Sequence, residues 1–203
     1  MRLFDKLFGG GKKKVPKEQV ETRGQHMPDL QIPVDEKFTI NFKRNGGKFL
    51  YCDSFDEVYA NLDNIIIENK WQDQTFFTMD DRLAERFSER DISFTDIPSR
   101  SQIFFTTCEH LIAQNGSILV CSNQLKERKL NELPSNLIVF ATTSQLVESI
   151  GEGLKIINKK YKKQIPANIT TIKHFLPTDE NSDDFLTYGS SSKNLYLLLL
   201  EDL

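Results

Sequence analysis

The chain has 203 residues, of which 38% are apolar and 27% are charged, with a formal net charge of −3. This composition is typical of one globular domain with a short appendage, and it gives no general basic signal for binding nucleic acid. No apolar run approaches the roughly 20 residues of a transmembrane helix, and the apolar stretch at the start is too short for a signal peptide. Three widely spaced cysteines suit a reducing compartment better than a disulfide framework. We therefore expect a cytoplasmic protein.

Residues 1–37 are predicted to form a flexible, basic tail. Residues 1–24 contain seven Lys or Arg and three acidic residues, and so little apolar content cannot form a core. The alternative is a short helix that touches a membrane or a partner. Such a helix would place four apolar residues on one face, but so short a helix is marginal in isolation, and disorder is favoured. The four residues are Leu3, Phe4, Leu7 and Phe8.

From residue 38 to residue 203, apolar runs of strand length alternate with segments of helical period. The runs predicted to be strands are 48–52, 74–79, 91–95, 102–107, 117–121, 136–141, 168–172 and 194–200. Such alternation is typical of parallel βαβ units, with helices on both faces of one mostly parallel sheet. The runs 117–121 and 136–141 are apolar throughout, which predicts central strands buried on both faces.

Capping-box patterns predict where several helices begin, because a Ser or Thr and a Glu or Gln three residues later satisfy each other's backbone amides. The pattern at Ser54–Glu57 opens a helix with a clear apolar face. A second at Thr106–Glu109 predicts a helix that ends near Asn115-Gly116. A third at Thr142–Gln145 predicts a long helix that continues to Tyr161.

The order of strands also predicts where a ligand would bind. In open α/β sheets, ligands lie outside the carboxyl ends of the strands, so we expect a site in the loops that follow Cys121, Ala141 and Ile172. His174 is the candidate acid–base residue there. Cys108, Glu109 and His110 are adjacent in sequence, and neighbours on a helix point about 100° apart. We therefore interpret them as a buried thiol and an exposed Glu–His pair.

No pattern for a cofactor or metal passes the test of structural context. Gly9–Lys12 lacks the spacing and the strand–helix setting of a phosphate-binding loop, and Gly151 and Gly153 lie within a helical pattern. The acidic residues between 179 and 184 fall in a polar stretch and are interpreted as a solvated loop. We therefore predict no cofactor and no metal centre.

Residues 94–141 resemble the core of the LUD domain family. The segments IAQNGSILV and LNELPSNLIVFA stand where the family has a segment like A-E-T-G-[TS], a buried strand and then L-P-x-x-h-I-x-V. The resemblance extends over about residues 38–203. It implies the fold of glucosamine-phosphate isomerases, ribose-phosphate isomerases and CoA transferases. It also implies a role beside iron–sulfur proteins that oxidise L-lactate to pyruvate, as in lactate-utilisation protein C.

Two departures bear on the activity that the resemblance implies. The glycine-rich segments typical of the family near the last strand are replaced by HFLPTDENSDDF (174–185) and YGSSSKN (188–194). Gln114 stands where CoA transferases of this fold have a nucleophilic Glu, and an amide cannot form the acyl anhydride that CoA transfer requires.

Two functional hypotheses follow from these patterns. The first is an accessory or binding subunit that docks on an iron–sulfur partner and has no independent chemistry. The second is a small-molecule enzyme or anion-binding protein of the sugar-phosphate isomerase type, in which basic side chains hold a phosphate or carboxylate. The candidate ligand-binding residues for the second are Ser122, Asn123, Lys126, Arg128, Thr142, Thr143 and His174.

Overall fold

The computed structural model describes residues 32–90, 92–162, 164–175 and 193–202. The strands, numbered in chain order, are β1 (Lys48–Cys52), β2 (Thr75–Phe77), β3 (Ser93–Thr95), β4 (Ile103–Thr106), β5 (His110–Ile112), β6 (Ser117–Val120), β7 (Asn136–Thr142), β8 (Leu146–Val147), β9 (Thr170–Ile172) and β10 (Asn194–Leu200). The helices are α1 (Val34–Arg44), α2 (Phe55–Asn69), α3 (Asp81–Arg86), α4 (Ser122–Leu125) and α5 (Ile150–Tyr161). Three 3₁₀ turns lie at Pro98–Arg100, Leu130–Glu132 and Thr143–Gln145.

Six strands form a sheet in the order β1-β10-β7-β4-β2-β3, and every pairing in it is parallel. This confirms the predicted α/β class. The strands β7 and β10 lie inside the sheet, and most of their residues are buried. Their sequences are continuously apolar because each face of the sheet packs against other elements.

The two faces of this sheet are covered differently. On one face, α2 and α3 bury residues such as Val58, Leu62 and Leu83 against the strands. On the other face, Phe38 and Phe42 of α1 pack in a common core with residues of a second sheet. The far side of that second sheet is covered by Ile157 of α5. Helices therefore flank the six-stranded sheet as predicted, but a second sheet covers much of one face.

The second sheet corrects the prediction of a single sheet. It has four strands in the order β8-β5-β6-β9, and β6 pairs antiparallel with both of its neighbours. The run 117–121 is therefore central in this sheet and not in the parallel one. The prediction from its apolar character was correct in one respect: Ile118 and Val120 face the main core, while Leu119 faces α5.

The helix predicted from Thr106 to Asn115-Gly116 is wrong. Residues 110–112 form β5, which turns back through residues 113–116 into β6. The Asn-Gly dipeptide marks the turn of this hairpin, in which glycine supplies a positive φ of 65°. The backbone of this segment pairs with β6 instead of forming a helix, beginning with the amide of Glu109, which donates to the carbonyl of Leu119 at 2.9 Å.

The helix predicted from the third capping box begins later than expected. Gln145 Oε1 does accept a hydrogen bond of 2.8 Å from the amide of Thr142, but the bond closes a 3₁₀ turn. After β8, α5 begins at Ile150 with Ser149 as its N-cap. The two-residue strand β8 interrupts the apolar periodicity that otherwise looked continuous.

The helix α1 was not predicted, and it begins four residues before the proposed domain boundary at residue 38. It fixes the turn between β5 and β6. Asn41 Nδ2 donates to the carbonyl of Ala113 at 2.9 Å, and Asn45 Nδ2 donates to that of Asn115 at 2.7 Å. The predicted tail otherwise falls outside the described residues. Among the helices that the structure describes, none has the length and apolar character to cross a bilayer.

Replacing Gly116 with Ala should destabilise the fold. A Cβ atom at this position would lie 2.3 Å from the carbonyl carbon of Asn41, and the φ of 65° is strained for an L-residue. We expect the free energy of unfolding to fall by at least about 2 kcal/mol, measured by urea denaturation.

Gly151→Ala is the matched control, since a Cβ there would meet only Ser149 Oγ at 3.8 Å. That variant should match the parent chain or exceed its stability by up to about 1 kcal/mol. Equal stability of the parent chain and Gly116→Ala would show that the close approach of α1 and the turn is not required.

Candidate functional site

The carboxyl ends of β7 and β10 carry a cluster of hydroxyl groups around one carboxylate. Thr143 Oγ1 donates to Asp202 Oδ1 at 2.9 Å, and Ser144 donates to the same carboxylate from its amide at 2.8 Å and its hydroxyl at 2.7 Å. Burial alone would raise the pKa of Asp202, but the hydrogen bonds from Ser144, Thr142 and Thr143 lower it to about 2. The cluster ties Asp202, two residues after β10, to the turn after β7.

A second carboxylate, Glu109, lies between the end of β4 and the start of β5. Glu109 is 4% exposed, and its oxygens accept hydrogen bonds from the side chains of α4 and α5. The donors are Asn123 Nδ2 at 3.0 Å, Gln124 Nε2 at 3.2 Å, Cys121 Sγ at 3.3 Å, Tyr161 OH at 3.0 Å and Lys160 Nζ at 3.3 Å. Five groups from two separate segments therefore converge on one buried side chain.

These donors keep Glu109 ionised. Burial raises the pKa of the carboxyl group, but the hydrogen bonds from Asn123, Gln124 and Cys121 and the charge of Lys160 lower it to about 2. Lys160 itself is largely exposed, so the hydrogen bonds carry most of the compensation. Glu109 therefore acts as a fixed anion that anchors α4 and the end of α5 to the second sheet.

The interpretation of Glu109 and His110 as an exposed pair is wrong. His110 is 7% exposed and its Nδ1 lies 3.3 Å from the carbonyl oxygen of Gln145. Burial lowers the pKa of His110. The two side chains leave the extended backbone on opposite sides, so Glu109 contacts α4 and His110 packs near Gly153 of α5. No catalytic triad forms from residues 108–110.

The three cysteines are buried and free. Burial raises the pKa of Cys121 to about 12, and it also raises the pKa of Cys52 and of Cys108. Thiolates are the reactive form of cysteine, so none of these side chains has the character of a nucleophile at neutral pH.

An open concavity lies beside the end of β6 and contains part of the site predicted from the sequence. Its volume is about 690 Å³, and its lining among the described residues includes Ser122, Lys126, Glu127 and Arg128. The helix α4, which is anchored by Glu109, supplies the first of these, and the turn after α4 supplies the others. The structure therefore brings Ser122, Lys126 and Arg128 together.

The turn holds Lys126 in an uncommon backbone conformation, with φ 52° and ψ −127°. The amide of Arg128 donates to the carbonyl of Leu125 at 3.1 Å, which closes a type II′ turn with Lys126 at the position that favours glycine. Asn168 Nδ2 also donates to the carbonyl of Lys126 at 3.1 Å. A non-glycine residue in such a conformation costs about 1–3 kcal/mol.

The structure does not bring His174 to this concavity. The prediction assumed parallel strands, but β6 and β9 are antiparallel, with Val120 opposite Thr170 and Ile118 opposite Ile172. His174 follows Ile172 and therefore lies at the opposite end of β6 from Ser122. The amide of the next residue, Phe175, donates to the carbonyl of Asn45, whose side chain bonds to Asn115 in the turn before β6.

The remaining predicted residues already have protein partners. Asn123 Nδ2 donates to Glu109 and also lies 2.8 Å from Tyr161 OH. Thr142 Oγ1 and Ser144 Oγ are 2.9 Å apart, and Thr143 bonds to Asp202. The part of the chain that the structure describes contains no group of three or more side chains that could hold a metal ion. The acidic residues between 179 and 184 lie outside the described residues.

The chain is similar to a known protein family and to a solved structure. The family model of the LUD domain matches residues 36–199. The chain belongs to the LUD domain family. The crystal structure of a DUF162 family protein from Deinococcus radiodurans is similar to this LUD domain with a TM-score of 0.52 at 11% sequence identity, covering 83% of this chain and 96% of that chain. At this identity the likeness concerns the fold alone. Comparison with curated proteins finds no match.

The LUD-domain match confirms the resemblance derived from residues 94–141. The segment Gln114-Asn115-Gly116 lies in the turn between β5 and β6, where the amide of Gln114 donates to the carbonyl of Glu148 at 3.0 Å. The Gly-poor segments replacing the family's last motifs lie mostly outside the described residues.

Replacing Glu109 with Gln should destabilise the LUD domain strongly at neutral pH. The amide keeps the volume but removes the charge, and in either orientation its NH₂ group faces a donor: Asn123 and Gln124 on one side, or Lys160 on the other. We expect the free energy of unfolding at pH 7 to fall by about 3–5 kcal/mol, measured by urea denaturation. The exposed Glu127→Gln variant is the control and should match the parent chain within about 0.5 kcal/mol.

The effect of Glu109 should depend on pH in one direction. Folding lowers the pKa of Glu109 from 4.5 to about 2, so its stabilising contribution is complete above about pH 5 and is lost as the pH falls through 4.5 towards 2. The difference between the parent chain and Glu109→Gln should narrow over that interval by about 3 kcal/mol. A difference that stays constant between about pH 6 and pH 3 would contradict the ionised state of Glu109.

Proposed function

We propose that this LUD-domain protein is an accessory or binding subunit without independent chemistry. It acts, in the manner of lactate-utilisation protein C, beside iron–sulfur proteins that oxidise L-lactate to pyruvate. The family assignment supports the setting of lactate utilisation. The partner and its role come from the resemblance that the sequence itself carries.

The observation that carries the proposal is the engagement of the carboxyl groups of Glu109 and Asp202 in internal hydrogen bonds. Glu109 accepts from Cys121 and from side chains of α4 and α5 and is ionised, and Asp202 accepts from Thr143 and Ser144. A general acid needs a pKa near the working pH, whereas both carboxyl groups have values near 2. These groups are arranged to hold the fold and not to transfer protons.

The alternative is an enzyme of the sugar-phosphate isomerase type. The concavity with Lys126 and Arg128 favours it, because two cations there suit an anionic substrate. The acid–base residue that the sequence assigned to this enzyme is His174, which lies at the other end of β6. We therefore favour a binding function over an isomerase.

The cysteine side chains should be unreactive in the native protein. Because burial raises the pKa of all three thiols, alkylation by iodoacetamide at about pH 8 should be at least about 100-fold slower than in urea. Mass spectrometry of the intact chain over time measures the rates. A cysteine that reacts in the native state as fast as in urea would identify a nucleophile and argue for an enzyme.

A direct test of the proposal combines affinity purification with an activity assay. The tagged full-length chain, purified from its own cells grown on L-lactate, should co-purify with a protein that contains iron and acid-labile sulfide. The chain purified alone should neither reduce an electron-accepting dye with L-lactate nor isomerise sugar phosphates. Turnover by the isolated chain would contradict the proposal, and so would iron or flavin in stoichiometric amount in that chain.

A further inference from the structure

The side chains that line the concavity beside β6 have no hydrogen-bond or ion-pair partners within the described part of the chain. Ser122, Lys126 and Arg128 take part in hydrogen bonds there through their backbones, and no described ion pair involves Glu127. The neighbouring Glu109 differs from these side chains, because its oxygens accept hydrogen bonds from five side chains. Two cations, one carboxylate and one hydroxyl therefore face a volume of about 690 Å³, which is within the range of small-molecule sites.

The elements that present these side chains are held firmly. The helix α4 is anchored through Gln124 and Asn123 to the buried Glu109. The turn that follows is fixed at Lys126 from both sides, since its amide donates to the carbonyl of Ser122 at 2.8 Å and its carbonyl accepts from Asn168. Lysine occupies a turn position where glycine would be easier, and strained backbone of this kind is often found at functional sites.

The charge of the lining selects the kind of anion. Among the described residues of the lining, Lys126 and Arg128 contribute two positive charges and Glu127 one negative charge, a balance of one positive charge. Such a lining neutralises a monoanion, whereas a phosphate dianion would keep an uncompensated charge beside Glu127. The planar guanidinium of Arg128 matches the two oxygens of a carboxylate, and the Ser122 hydroxyl can donate to a further oxygen.

We propose that the concavity formed by Ser122, Lys126 and Arg128 is a binding site for a small organic monocarboxylate. Arg128 pairs with the carboxylate, Lys126 supplies the second charge, and Ser122 orients the ligand. Asn123, Thr142, Thr143 and His174 are not part of this site. The inference concerns the chain alone, and it stands whether or not an iron–sulfur partner binds.

The test is titration of the full-length chain with L-lactate, acetate and inorganic phosphate at constant ionic strength, followed by amide chemical shifts in NMR spectra. The two carboxylates should shift amides of residues 122–128 and bind more tightly than phosphate. Arg128→Ala should weaken carboxylate binding by about tenfold to a hundredfold, since it removes a charge-assisted contact. Lys129→Ala, an exposed neighbour outside the lining, should leave the affinity unchanged.

Two further variants separate function from folding. Lys126→Gly should raise the melting temperature, because it relieves the turn, and should nevertheless weaken carboxylate binding at least tenfold. Glu127→Gln should increase the affinity for phosphate, because the net charge of the lining rises. Absence of shifts with both carboxylates, equal affinity in Arg128→Ala and the parent chain, or tighter binding of phosphate than of carboxylate by the parent chain would each overturn the proposal.

Discussion

The buried, ionised carboxylate of Glu109 is the interaction on which the arrangement around the candidate site depends. A carboxylate removed from water costs several kcal/mol unless hydrogen bonds and charge replace its hydration. Here the replacement comes from Cys121 at the end of β6, from α4 and from the end of α5. Cys121, α4 and the end of α5 all donate to Glu109, so this side chain holds α4 in place and sets where the turn at Lys126 projects.

The two sheets share one hydrophobic core because of the way β6 is oriented. Residues of β6 face in two directions, so that Ile118 joins the core shared with the parallel sheet and Leu119 joins the layer under α5. The hairpin turn before β6 is held by Asn41 and Asn45 of α1. Glu109 lies just before β5 and the turn after β5 contacts α1, so this short hairpin links α1 to the candidate site.

Much of the parallel sheet was predictable, because its strands are apolar runs between clear turn and capping signals. The run 194–200 and the run 136–141 are strands within one residue of their predicted bounds. The second sheet was predictable only in part, since the predicted strand runs 117–121 and 168–172 contain β6 and β9 but β5 and β8 are not predicted. Its strands β5 and β8 have three and two residues, too short to show a period. The Asn115-Gly116 dipeptide is the available signal, and it is typical of a hairpin turn as well as of a helix end.

The candidate site was predicted in part for a related reason. Ser122, Lys126 and Arg128 lie together because they are close in sequence, so no knowledge of strand direction was needed. His174 was grouped with them on the assumption that β6 and β9 run parallel, and sequence periodicity carries no information on direction. The burial of Glu109 is not predicted from the sequence, because a charged residue next to a histidine is typical of an exposed segment. Its position two residues before Leu111 in a buried extended segment was the only hint of burial.

The most direct measurement is a titration of the Glu109 carboxyl carbon by NMR in the folded protein, with Glu109→Gln used to assign the resonance. We expect a midpoint well below that of an ordinary glutamate, near a pKa of about 2, because the hydrogen bonds to Glu109 stabilise its ionised form. The same carboxyl acting as a catalytic acid or base would titrate near neutrality. A midpoint at or above about pH 6 would contradict the structural role of Glu109 and would make the enzyme hypothesis the better one.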